Sequence, residues 1–111
     1  MTLEDWRQEI DAIDKQLVLF LNERARLAAK LVAMKAAAGS PIYDSERETR
    51  VLNHVCTVNL GPFADDALKK IFRRIIVETR RVEIERARRN RVTALERSYP
   101  KDSYEERKSQ Q

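Results

Sequence analysis

Arg24 and Lys35 stand where a helical core stripe should be apolar. Arg24 follows Phe20 by four residues and Leu21 by three, and it precedes Leu27 by three. Lys35 is eleven residues further on, and eleven steps of about 100° return it to within about 20° of Arg24, about 16 Å along the axis. Two long cationic side chains leaning toward each other can bracket an anion of small-metabolite size. Snorkelling, with alkyl stems buried and charges in water, explains Lys35 near a helix end but poorly explains Arg24 in mid-helix.

Two further groups share this character. Asp44, Arg47 and Glu48 are spaced i, i+3 and i+4, so they share one helix face, where two carboxylates beside a guanidinium can hold a hydroxyl. Taken alone, they also suit an ordinary capped first turn. Thr79 follows Ile75 by four and Glu83 follows Thr79 by four. Thr79 can bond a carbonyl one turn back, and Glu83 can pair with Arg80 or Arg86 on the surface. The weight lies in the combination, because inward polar groups are costly unless they are paired or bound to something. Arg7 lies 17 residues before Arg24, about 25 Å along the axis. It reaches the same small anion only from a second, antiparallel chain.

The elements that must position these residues follow from the breakers. Gly and Pro occur at Gly39 with Pro41, at Gly61 with Pro62, and at Pro100. They cut the chain into segments of about 2–38, 44–60 and 63–98. In the first, Leu3, Trp6, Ile10, Ile13, Leu17, Phe20, Leu21, Leu27, Leu31 and Met34 step by three and four. Leu68, Ile71, Phe72, Ile75, Ile76 and Val82 do so in the third. Thr2 with Asp5 resembles a capping box, Asp44 can cap the second helix, and Asp65 or Asp66 favours the start of the third. No segment alternates like a strand. The expectation is an all-α fold of three helices, long, short and long, in a domain over 1–97, with a frayed polar tail over 98–111. Trp6 and Phe72 read as core, and His54 and Cys56 as filler.

Length then argues for assembly. A helix over 2–38 spans about 55 Å, whereas a compact globule of this size is only about 35 Å across. Two such helices cannot bury their stripes beside one short companion. A two-fold homodimer is the favoured remedy, and a long helical hairpin bound to another protein is the competing one.

Composition excludes several classes. The 111 residues hold one Cys and one His, too few for a disulfide framework or for a zinc or haem ligand set. No apolar run approaches a membrane span, and the acidic N-terminus is unlike a signal peptide, so a cytoplasmic protein without metal is expected. Residues 1–60 carry 8 Lys/Arg against 9 Asp/Glu, and residues 61–111 carry 14 against 9. That gradient suggests nucleic acid. Glu78, Glu83, Glu85 and Glu96 interrupt the basic run, however, and favour a solvated face laced with ion pairs.

Over about residues 3–86 the chain resembles the all-helical chorismate mutase family. The motifs are LEDWRQEIDAIDKQLVLFLNERARLAAKLVAMK, PIYDSERE and the less specific GPFADDALKKIFRRIIVETRRVE. Arg7, Arg24, Lys35, Asp44, Arg47 and Glu48 recur at the family's spacing. The resemblance implies an intertwined homodimer that rearranges chorismate to prephenate without a cofactor, in the branch leading to phenylalanine and tyrosine. It implies that Arg24 and Arg7 of the partner subunit hold the two substrate carboxylates and that Lys35 donates to the ether oxygen. Asp44 and Glu48 would receive the ring hydroxyl, with Arg47 supporting that wall. Thr79 stands where many bacterial members have Ser. Glu83 departs from the Gln of many bacterial members and is similar to the Glu of fungal ones. An ionised carboxylate cannot donate, so its functional form should be protonated.

Three rivals stay open on sequence. An isochorismate pyruvate lyase shares this fold and its cationic anchors. A non-catalytic basic module would bind nucleic acid through Arg80, Arg81, Arg88, Arg89 and Arg91. The chain can also serve as partner to another aromatic-pathway enzyme. Asp44 and Glu48 lean toward the mutase. Neither nucleic acid nor membrane is the expected partner.

Overall fold

Thr2 starts the first helix as the spacing predicts. In the computed structural model, which describes residues 1–41 and 43–98, Asp5 N–H donates to Thr2 Oγ1 at 3.2 Å and Thr2 N–H donates to Asp5 Oδ2 at 2.7 Å. This reciprocal box opens α1, Leu3–Ala37. The helix closes on Gly39, whose φ of +72° suits a residue without a side chain. The Gly39 N–H bonds the Ala36 carbonyl at 3.2 Å and the Ser40 N–H bonds that of Lys35 at 2.8 Å. This left-handed cap satisfies the last carbonyls, and it leaves Lys35 in the final turns, where a cation is favoured.

Asp44 caps α2, Ser45–Val58, by accepting from the Arg47 N–H at 3.1 Å. This helix ends two residues before the expected 60, and α3, Asp65–Ser98, begins two after the expected 63. Asn59 is the reason. Its side chain donates to Phe63 O and to Asp65 Oδ1, both at 2.8 Å, and accepts from the Gly61 N–H at 2.9 Å. One amide thus organises the whole turn. The described residues hold three helices and no strand. The expected tail lies beyond Ser98, outside the described residues.

The long α3 packs against both α1 and α2, which do not pack on each other. Only the second half of α1 takes part: Arg24, Ala25, Ala28, Val32 and Lys35 are half-buried and Ala29 is buried. The small side chains let α3 come close. Ala29, Val55 and Thr79 are the only buried residues among those described.

The rest of α1 has nothing beside it. Trp6 and Ile10 are each 57% exposed and Phe20 is 64% exposed. The expectation that Trp6 is core therefore fails within one chain, where the whole stripe from Leu3 to Phe20 lies exposed. Phe72 is half-buried. The described residues measure 67 × 39 × 16 Å with a radius of gyration of 21.0 Å, against about 13 Å for a compact chain of about this length. Its thin dimension is little more than one helix diameter of about 10–12 Å. A single layer of helices cannot bury a continuous stripe.

The basic half is laced with ion pairs rather than bare. Arg74 and Arg81 reach Glu78 at 2.9 and 3.3 Å, and Arg88 and Arg89 each reach Glu85 at 3.4 Å. Among the described residues no helix is long and apolar enough to cross a membrane.

Candidate active site

A cleft of about 310 Å³ opens where the second half of α1, the start of α2 and the middle of α3 converge. That volume is at the small end of ligand sites. Its apolar lining comes from Leu27, Leu31, Val32, Val51 and Ile76. Its polar lining is Arg24, Lys35, Asp44, Arg47, Glu48, Thr79 and Glu83, with Arg80 and Tyr43 added. Seven of the eight residues singled out from the sequence thus share one cleft. Arg7 does not: it lies exposed in the early turns of α1, 4.0 Å from Glu4.

Each polar group has a specific setting. Arg24 Nη1 donates to Thr79 Oγ1 at 3.4 Å, and Thr79 Oγ1 donates to Ile75 O at 2.6 Å. The threonine therefore makes the intrahelical bond expected of an isolated Thr and also accepts from the guanidinium. Burial, then the nearby charge of Arg47, lowers the Arg24 pKa, and Glu83 opposes them. A cation held at such cost attracts an anionic ligand that replaces its lost hydration. Asp44 uses one oxygen in its helix cap, and its other oxygen lies 3.8 Å from Arg50.

Glu83 is the group whose setting most constrains the chemistry. Burial raises its carboxyl pKa from the ordinary value, against the pull of Arg80, Arg24 and Lys35 in that order. Desolvation outweighs three cations. The shift is toward the protonated form, the one that can donate a hydrogen bond. The cleft is lined by four cations, Arg24, Lys35, Arg47 and Arg80, against three carboxyl groups, and protonation of Glu83 widens that surplus to one suited to a dianion.

Arg80 and Tyr43 were missed as site residues. The Arg80 guanidinium lies over the Tyr43 ring, 4.8 Å from its centroid, and pairs with Glu48. The signal was present: Arg80 follows Ile76 by four and precedes Glu83 by three, which places it on the inward face. It was obscured by Arg81 beside it, which makes the pair look like surface charge.

Comparisons with known proteins bear on the chain as a whole. Residues 6–84 match the family described as chorismate mutase type II. The chain is 38% identical over 78 residues to a bifunctional chorismate mutase/prephenate dehydratase of Aquifex aeolicus, covering 67% of this chain and 22% of the relative. A protein of the same description from Neisseria gonorrhoeae is 35% identical over 77 residues, covering 69% and 21%. The chain thus spans about a fifth of the length of these curated relatives. Among solved structures, a chorismate mutase from Thermus thermophilus superposes with a TM-score of 0.70 at 30% identity, covering 73% of this chain and 92% of that one. The chorismate mutase of Helicobacter pylori in complex with prephenate superposes with a TM-score of 0.67 at 28% identity, covering 75% and 90%.

Proposed function

We propose that this chain, which belongs to the type II chorismate mutase family, rearranges chorismate to prephenate in the cleft, as a cytoplasmic homodimer. The observation that carries the reading is the convergence of Arg24, Lys35 and Glu83 in one cleft, where burial raises the Glu83 carboxyl pKa. Nothing in that set needs to act as nucleophile or base. The rearrangement is intramolecular: one C–O bond breaks as one C–C bond forms, with no redox change and no net proton transfer. The protein's contribution is therefore conformation and electrostatics.

Arg24 holds one substrate carboxylate and Arg7 of the partner subunit holds the other. Clamping both selects the folded, chair-like conformer that the free molecule rarely adopts. Negative charge grows on the ether oxygen as its bond to carbon lengthens. Lys35 and neutral Glu83 donate to it, and their bonds strengthen toward the transition state, which is the condition for raising kcat. Asp44 and Glu48 accept the ring hydroxyl beside Arg47. Thr79 keeps Arg24 aimed into the cleft.

The second subunit is part of this reading. The bare stripe through Trp6, Ile10, Ile13 and Leu17 is supplied with a cover by an antiparallel copy, which carries its Arg7 toward the neighbouring cleft. The bifunctional relatives join the mutase to a prephenate dehydratase, so a prephenate-consuming enzyme is the natural next step after this one. Supplying the purified protein with chorismate and, separately, isochorismate tests the assignment by product. Prephenate from chorismate supports it; pyruvate and salicylate from isochorismate, without prephenate, would replace the mutase by a lyase.

A further inference from the structure

Arg80 has no part in the mechanism above, yet it joins two sides of the cleft. It rises from the middle of α3, stacks its guanidinium over the Tyr43 ring 4.8 Å from the centroid, and pairs with Glu48 in the first turn of α2. A guanidinium over an aromatic face is attracted by the ring quadrupole, and its planar fork then offers N–H groups in fixed directions. The side chains of Arg80 and Glu48 are 40% and 32% exposed, so the pair sits at the cleft wall rather than beneath it. A carboxylate has about four acceptor directions. Arg80 takes one side of Glu48 and leaves the others for a ligand.

The charges point the same way. Arg24, Lys35, Arg47 and Arg80 all line the cleft, and a dicarboxylate needs few of them. An unpaired Arg80 would compete with Arg24 for a substrate carboxylate and draw the ligand toward the wrong wall. Pairing with Glu48 removes that competition.

We propose that Arg80 is a positioning residue for substrate recognition: held over the Tyr43 ring, it orients the Glu48 carboxylate as acceptor for the substrate's ring hydroxyl. This inference rests on the chorismate reading of the cleft. It makes Arg80 act through Glu48 and gives Tyr43 the task of fixing the guanidinium plane.

The test uses two bicyclic ether dicarboxylates shaped like the rearranging substrate, one with the ring hydroxyl and one without. Each is titrated calorimetrically into the wild-type protein and into Arg80→Met, Arg80→Lys and Glu48→Gln variants. A hydrogen bond to a charged acceptor makes the wild type prefer the hydroxyl compound by about 10- to 100-fold. Arg80→Met reduces this preference to a few-fold while weakening the other compound much less. Arg80→Lys, which keeps the charge without the planar stack, recovers part of it. Combining Arg80→Met with Glu48→Gln costs no more preference than Glu48→Gln alone. A merely structural Arg80 would weaken both compounds equally, and that result, or an undiminished preference, overturns the inference. If Arg80→Met does not fold, as judged by its far-ultraviolet dichroism, Arg80→Lys decides by the same comparison. Chorismate turnover by the wild type with preference unchanged in the Arg80 variants sinks this inference alone. Neither turnover nor binding of either compound sinks the chorismate reading and this inference with it.

Discussion

Arg24 and Thr79 meet across the seam between α1 and α3, guanidinium to hydroxyl at 3.4 Å, and Thr79 is 8% exposed. The contact converts a costly mid-stripe arginine into an anchored one, because the hydroxyl is itself fixed by its bond to Ile75 O. Replacing Thr79 with Val keeps the volume and deletes the acceptor. We expect Thr79→Val to raise KM for chorismate by about tenfold, the worth of one charge-assisted hydrogen bond, and Thr79→Ser to behave nearly as wild type. Equal kinetics for Val and Ser would dissociate Thr79 from Arg24.

Lys35 tests the electrostatic half of the mechanism. Losing one preorganised donor to a developing oxyanion costs about 100- to 1,000-fold in kcat. Lys35→Ala should show that loss with a much smaller change in KM. Comparable losses in both constants would instead make Lys35 an anchor for the ground state.

The pH dependence follows from Glu83. Burial raises its carboxyl pKa, and the donating form is the protonated one. Activity through this group is therefore full below the raised value and falls as pH rises through it. Glu83→Gln supplies a donor that does not titrate, so kcat/KM for that variant should lose the alkaline fall. The same shift has a sign for folding: native Glu83 binds its proton more tightly than the unfolded chain does, so its contribution to stability declines as pH rises from the ordinary carboxyl range through the raised value. A kcat/KM profile unchanged by Glu83→Gln would remove Glu83 from the proton inventory.

Subunit mixing addresses Arg7. Arg7→Ala and Lys35→Ala homodimers should each be nearly inactive. A dimer containing one of each has one site with both residues intact and one with neither, so random exchange should restore about a quarter of wild-type activity in a two-fold assembly. No recovery, with exchange verified by mass spectrometry, would place Arg7 in its own chain's chemistry or in none.

The helices were legible because their signals are local. Thr2 with Asp5, Asp44, Gly39 and the three-four stepping of α1 each mark their element without help from the rest of the chain. The α2–α3 turn was not, since Asn59 works through partners at Phe63, Gly61 and Asp65 that no periodicity reports. At the site, Arg24 stood out because a mid-helix cation on an apolar stripe violates a pattern. Arg80 violated none: beside Arg81 it matched a solvated face, and only packing against Tyr43 and Glu48 reveals its direction. Trp6 taught the opposite lesson. Its stripe predicts burial, but a single chain one helix thick has nothing to bury it against.

The most direct measurement follows chorismate and prephenate by proton NMR in a solution of purified protein, beside an identical sample of Arg24→Ala. Wild type should convert the first quantitatively into the second, and the variant should be slower by about 100-fold or more, as expected when a buried charge partner is truncated. Chorismate that persists unchanged with the folded wild-type protein, or equal rates in the two samples, would contradict the account.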